Sequence, residues 1–507
     1  GPRKAARIAQ RLQYLQPAAC PGPEQEDCDD SDPLRVYYDE YSYCSYDCEA
    51  LENLISNTPI YITSNTTLNG TLLTRPIIVQ GNNVVLTLNG DFECTRNVYI
   101  QSEIGTTLNV SEARFMCVCD DFWQGFRVKA NLDPTLGPVG RSLVILKNSL
   151  IENALCGISS DAGGIIDADN SVLRNNSMDV LFMPHTNSSY YQQVLGNNTS
   201  DFRNCRFETY SYQHNNSNSV YNVVLINTKG VNFNKCVFKD EGIDGKILRT
   251  ENRNGIMAYK SGFTVENNTN FYNLSYAIKA YNSEYLPIDV KNNYFESCYF
   301  SIYFSNAYGT EITNNEMMFK NVTSGAPVST IHPYGVYLDN SFGFEVEGNN
   351  IHYFNIHVQN PNSAYCGIIV NNSLSTGDRV YRNDFEKLGV AIEAIGMNRD
   401  QSDGYYGLLI KCNDFVLSKN NIFFTSDPNY TYPQGASLGI GKNQGSLTNP
   451  AGNLFTTQNG PDYTKIFNSN DPFFNYYYHN PASNSRVYPS IVSGNVWLHE
   501  TEQNYSI

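Results

Sequence analysis

Charge is scarce in this chain: only 17% of its 507 residues are Asp, Glu, Lys or Arg. Basic residues number 34 against 50 acidic ones, a formal net charge of −16. A sequence-independent grip on nucleic acid needs a basic face that displaces counterions, so that class of partner is excluded. Electrostatic docking on anionic lipid is disfavoured for the same reason. No apolar run approaches the roughly 18 residues of a membrane span, so no membrane insertion is expected. The 7 histidines are scattered, without HExxH or HxH spacing. Zinc-peptidase chemistry therefore lacks its residues. Helix-favouring Ala, Glu, Lys and Leu are also sparse, which leaves little material for long helices.

What is plentiful is Asn, Ser, Thr, Tyr, Phe and Gly, with 37 Tyr, 26 Phe and 36 Gly. That bias reads as all-β with many tight turns. Residues 288–319, IDVKNNYFESCYFSIYFSNAYGTEITNNEMMF, hold one phrase twice: Val290, Asn293 and Phe295, then Ile312, Asn315 and Met317. Between the copies Tyr299, Ser301, Tyr303 and Ser305 alternate, so a unit of 22 residues carries two or three very short strands. Such a unit cannot bury its own apolar side chains and must lean on the next, as in a solenoid.

An asparagine can be set in register along residues 141–424: Asn148, Asn175, Asn204, Asn234, Asn268, Asn293, Asn315, Asn349, Asn383 and Asn413. Asn tolerates the left-handed bend between strands, and its amide can bond to its counterpart one coil away. The ten therefore predict an internal structural ladder; spread along the whole length, they suit a repeat better than a calcium or sugar site. The coil in 288–319 is the barest of the series, which moves the search for function toward the longer units at 234–268 and 315–383. Residues beyond the bare coil gather at about 184–200, 239–259, 320–334, 353–364 and 396–406, and in solenoids insertions emerge on the binding face.

Three segments follow from the pattern. Residues 1–56 form a Cys- and Tyr-rich appendage ending in DCEALENLIS, a helix that could plug the open end of the solenoid, with Asp47 as N-cap. Residues 57–424 form the solenoid, and residues 425–507 an irregular C-terminal cap or its continuation. Of 13 cysteines, Cys20, Cys28, Cys44 and Cys48 crowd into the appendage, where they are possible disulfides in any of three pairings. Cys156, Cys205, Cys236, Cys298, Cys366 and Cys412 fall beside apolar residues in strands and read as small core residues.

Two places invite chemistry. Asp120 and Asp121 are adjacent carboxylates in CDDFWQG, but neighbouring strand residues point to opposite faces, which suits a corner better than a catalytic pair. The loop DEGIDGKILRTENRNG is the densest charged cluster of the repeat region, with Asp240, Asp244, Lys246, Arg249, Glu251 and Arg253 as weak ligand-loop candidates. It could hold a cation such as Ca2+ or clamp an anionic sugar, while most charge runs are solvated loops. No cofactor is otherwise implied.

The coil phrases resemble right-handed parallel β-helix repeats of the pectate-lyase-like superfamily. More narrowly, GTTLNVSEARFMCVCDDFWQGFRV, GGIIDADNSVLRNNSMDVLFMP, NTSDFRNCRF and QGSLTNPAGNLF look like surface or secreted β-helix proteins of Bacteroidota bacteria, substrates of the type IX secretion system. The resemblance implies an all-β, right-handed parallel β-helix with a helical N-terminal cap, located outside the cell or at its surface. The NTD, GHG and RIK signatures of pectin-hydrolysing relatives are missing, and no catalytic constellation is complete. The expected function is thus a non-enzymatic structural or adhesive module of a larger assembly, able to oligomerise or form filaments, with polysaccharide or other cell-surface proteins as partners. The alternative is a lyase or glycoside hydrolase acting on an acidic polysaccharide.

Overall fold

The structure is a computed structural model that describes residues 35–504, apart from 39–42, 47, 119–120, 131–140, 162, 184–197, 211–220, 242–252, 285, 321–331, 355–361, 374–376, 401–405, 427–437, 458–462 and 470–472. Short strands in register from one coil to the next build a right-handed parallel β-helix. Each regular coil contributes three strands, one to each of three faces. The front sheet holds 16 strands among the described residues, from Ile60–Ile62 to Val492–Gly494. Its register repeats one apolar position along the axis: Ile256, Ile278, Ile302, Val336, Ile368 and Ile392 lie side by side. From the front sheet the chain passes to a rear face, as at Ile288–Lys291, then to a side face, as at Tyr294–Glu296, and returns. The long strands Val85–Cys94 and Thr107–Cys117 run through the corner between rear and side faces and join the two sheets.

Alternation along each short strand puts apolar side chains inside. Phe207, Phe238, Phe271 and Phe295 stack there with ring centroids 4.5, 4.9 and 4.8 Å apart. Each fully buried aromatic of this kind is worth about 2–3 kcal/mol by transfer, and neighbouring coils share it.

The corner between rear and side faces explains the asparagines. One residue adopts a left-handed conformation, at Asn148, Asn170, Asn204, Asn268, Asn292 and Asn314 with φ between 47° and 66°. The next residue turns inward, and its side chain meets the backbone of the preceding coil. In successive coils the inward position holds Ser149, Ser171, Cys205, Cys236, Thr269, Asn293, Asn315, Asn349, Asn383, Asn413 and Asn453. From Asn293 to Asn453 each amide donates to the next Oδ1 at 2.9–3.1 Å. The ladder ends where Asn453 donates to Tyr476 Oη at 3.0 Å.

The expected register of the asparagines therefore needs correction in the N-terminal half. Asn148, Asn204 and Asn268 occupy the left-handed residue just before the ladder position. Asn175 turns the different corner between side face and front sheet, and Asn234 ends the strand Lys229–Asn234. At Asn148, Asn204 and Asn268 the register differs by one because both corner positions favour Asn, one for its tolerance of positive φ and the other for its amide.

A five-residue helix, Cys48–Glu52, stands at the N-terminal end, with buried Leu51 packed beside Val118 and Leu72. Cys48 is disulfide-bonded. Cys20, Cys28 and the side chain of Cys44 lie outside the described residues. Cys205, Cys236 and Cys298 are core residues. Cys156 is only partly buried and Cys412 is exposed, the latter at a left-handed corner with φ 58°. Cys366 is buried on the outer side of the front sheet, away from the core. Coil stacking extends past residue 425: Thr464–Asn468 and Val492–Gly494 extend the front sheet, and Asn443–Gln444, Phe474–Asn480 and Val496–Asn504 pair in parallel.

Candidate functional site

The corner between rear and side faces is turned by two or three residues, whereas the longer connections join the ends of the front strands. In chain order 211–220, 242–252, 321–331 and 355–361 precede a front strand, and 131–140, 184–197, 401–405 and 427–437 follow one. The long connections thus flank the front strands in sequence, and the outer surface of the front sheet is the place to look for binding.

In the front strand Tyr276–Tyr281, Ala277, Ile278 and Ala280 face the core while Tyr276, Lys279 and Tyr281 face out. Parallel register repeats each outward position. Tyr276 is followed by Phe300 and Tyr334, Lys279 by Tyr303 and Tyr337, and Tyr281 by Ser305 and Asp339. The first row stacks with centroids 4.5 and 4.4 Å apart, and Tyr303 lies 5.4 Å from Tyr337. Tyr281 lies 5.6 Å from Tyr303, and Tyr334 lies 5.2 Å from Tyr337, which ties the rows together. Lys279 Nζ sits 4.0, 5.2 and 5.8 Å from the rings of Tyr276, Tyr281 and Tyr303, where the ring quadrupoles attract it. Cys366, Ile369, Val390 and Ile395 extend the patch along the axis.

Burial raises the pKa of Tyr276 and Tyr281, and it pushes Tyr303 to about 12 with help from the Asp339 carboxylate. The phenols therefore stay protonated in neutral and mildly alkaline solution and keep a donor for a ligand hydroxyl. Asp339 accepts from Ser305 Oγ at 3.0 Å and from Asn371 Nδ2 at 2.9 Å. Two strands on, Glu393 stands in the row of Tyr303 and Tyr337, between Ile369 and Phe423. Burial alone raises its pKa.

The charged loop singled out by sequence divides. Asp240 and Arg253 are buried, and the Arg253 backbone N–H donates to Asp240 Oδ2 at 2.9 Å. The Arg253 guanidinium donates to Ser177 O at 2.9 Å and also to Asn176 O and Thr209 Oγ1. Both residues brace the side-to-front corner and are not an exposed clamp. Asp244, Lys246, Arg249 and Glu251 lie outside the described residues. Behind the brace, inward-facing Asp179 accepts from Asn176 at 2.8 Å and Asn222 at 2.7 Å. Burial dominates over Arg253 and these bonds and raises its pKa to about 6.

Asp120 is outside the described residues, and Asp121 Oδ1 accepts from the Phe122 backbone at 2.8 Å. Among the described residues no three His, Cys, Asp or Glu side chains are grouped to hold a metal ion. The aromatic rows pass through the barest coil, residues 288–319. Only once the coils are in register does an aromatic recur at the same front-strand position, as at Tyr276, Phe300 and Tyr334.

No family model and no curated protein matches the sequence. Among solved structures, the periplasmic alginate epimerase AlgG overlaps 73% of this chain and 82% of its own at 10% identity and a TM-score of 0.35. The tailspike of E. coli bacteriophage HK620, solved with a hexasaccharide, overlaps 98% of this chain and 86% of its own at 12% identity and a TM-score of 0.38. Overlap this loose assigns no activity.

Proposed function

We propose that this protein is a saccharide-binding β-helix of the cell exterior, which lays a glycan chain along the outer face of its front sheet. The carrying observation is the part-exposed row of Lys279, Tyr303 and Tyr337, its two rings 5.4 Å apart, backed by the row of Tyr276, Phe300 and Tyr334, in which Phe300 and Tyr334 are buried. Flat amphipathic rings with retained phenol donors suit the apolar face and hydroxyl rim of a sugar. An adhesive module of a larger surface assembly, exported in the manner of type IX substrates, is the biological form of this reading.

The test is retention on immobilised polysaccharides, neutral and uronate-rich, with and without calcium. Paired substitution of Tyr303→Ala and Tyr337→Ala is expected to weaken retention by roughly tenfold or more. Equal retention by the folded double variant defeats the proposal.

A second reading, a carbohydrate-active enzyme, is favoured by Glu393. Its raised pKa in an apolar setting is the kind a general acid uses, and Asp339 offers a hydrogen-bonded carboxylate on the same face. Release of reducing or unsaturated ends from a retained polysaccharide, abolished by Glu393→Gln, would select this reading over simple binding.

A further inference from the structure

We propose a second binding site on the side face, away from the aromatic rows, that takes the carboxylate of an acidic sugar. The side-face strands place Glu152 beside Arg174 in register, while Arg114 stands opposite Leu150, two residues before Glu152. Glu152 is 5% exposed and is saturated by two guanidiniums. Its Oε1 accepts from Arg114 Nη2 at 2.7 Å and Nε at 3.2 Å; its Oε2 accepts from Arg174 Nε at 2.9 Å and Nη2 at 2.5 Å. These side chains open onto a cleft of about 410 Å³, which is within the range of small-molecule sites.

Arg174 stands between Glu152 and Glu208 in register, and Glu208 is itself paired with Arg206 and bonded by Tyr210 Oη at 3.2 Å. Arg174 keeps its Nη1 without a partner among the described residues, and its Cζ lies 5.8 Å from the Tyr210 ring centroid. The Tyr210 backbone N–H is tied to Asn175 Oδ1 at 2.7 Å and its hydroxyl to Glu208, so the ring is fixed. Glu152 acts as a positioning residue: it clamps one edge of Arg174 and leaves the other toward the cleft. A guanidinium fork matches a carboxylate, and the ring beside it offers a stacking surface for the attached pyranose. In the cleft wall Asn153 Oδ1 is a buried acceptor without a donor among the described residues, suited to a sugar hydroxyl.

The test is calorimetric titration of the full chain with glucuronate, with glucose and with acetate. Glucuronate is expected to bind, glucose not measurably, and acetate roughly tenfold more weakly than glucuronate. Arg174→Gln and, separately, Tyr210→Ala are expected to weaken glucuronate binding by roughly tenfold or more, with the circular dichroism spectrum retained. The front-sheet pair Tyr303→Ala and Tyr337→Ala is expected to leave it unchanged, which separates this site from the front-sheet reading. Equal affinity for acetate and glucuronate removes the sugar from the proposal. No binding by the native chain, unaltered binding by both side-face variants, or loss in the front-sheet variant overturns it. If Arg174→Gln fails to fold, Tyr210→Ala alone decides.

Discussion

Asn349 is fully buried yet has its side chain completely satisfied: Oδ1 accepts from the Asn315 backbone at 3.0 Å and amide at 2.9 Å, and Nδ2 donates to Ile312 O at 2.8 Å and Asn383 Oδ1 at 2.9 Å. Asn349→Ala strands the Asn315 and Asn383 amides inside and is expected to cost about 2–4 kcal/mol, read as lost hydrogen-exchange protection in the coils on either side. At exposed Asn148, φ 47°, replacement by Ala trades one amide bond for left-handed strain and is expected to cost about 1 kcal/mol. Equal losses at the two sites would refute the distinction between ladder and corner. Asp179 carries a pH effect of unusual sign. Its carboxyl ionises near 3.8 in the unfolded chain and at about 6 when buried, so the native state holds more protons between those values. Stability from this group is present below the lower value and declines by roughly 3 kcal/mol as pH rises through 6. Asp179→Asn mimics the protonated form. Its melting temperature relative to the native chain is expected to rise from pH 4.5 to pH 7.5, and a constant difference between the two pH values would exclude the assignment.

At the scale of the strand, one column of the front sheet, the second residue of strands Cys156–Asp161, Asn254–Tyr259 and Tyr334–Asp339, decides how closely the side face can approach. Gly157, Gly255, Gly335 and Gly367 occupy it; a Cβ on Gly367 would lie 2.4 Å from Ala391 O and 2.8 Å from the Phe385 ring. Backbone and a stacked core ring cannot both move aside. Gly367→Val is therefore expected to cost about 2–4 kcal/mol and to appear as a lowered thermal midpoint. An unchanged midpoint would mean that the corner can open. This constraint was not legible beforehand, because the same column also admits Asp179, Asn222, Ala277 and Ser301, and mixed small and polar residues look like a turn. The period, the strands and the ladder from Asn293 to Asn413 were legible, since Asn and apolar residues recur at fixed offsets. The outer face was not. In Phe300–Ser305 the alternation suggested by Tyr299, Ser301, Tyr303 and Ser305 mixes faces: Ser301 turns in at the corner while Phe300 and Tyr303 face out. Only register between coils, which a single strand does not contain, lines up Tyr276, Phe300 and Tyr334.

The whole molecule is held together coil by coil, so its ends need as much explanation as its middle. A solenoid rung that lacks a neighbour exposes both apolar core and strand edge. Here the rung containing Phe415, Ile422 and Phe424 is covered by residues beyond 425. Phe455 lies 5.8 Å from Phe415, Phe474 lies 5.1 Å from Phe424, and Ile466 pairs with Ile422. The Asn ladder also passes into this region and ends on the buried Tyr476 hydroxyl, whose pKa burial pushes well above the usual phenol range. Composition hid this continuity, because Gly, Pro and Asn in 427–463 outweigh the alternation of Phe474, Tyr476 and Tyr478. Ending the chain at Thr425 would uncover Phe415, Ile422 and Phe424 together and leave the Asn413 amide and the front edge unpaired. Such a chain is expected to associate through that end, eluting as dimers or larger species in size-exclusion chromatography with light scattering, whereas Tyr476→Phe in the full chain is expected to change only the thermal midpoint, by about 1–3 kcal/mol of stability. A truncated chain that stays monomeric with its β-sheet spectrum intact would show that the last coils do not serve as the cover.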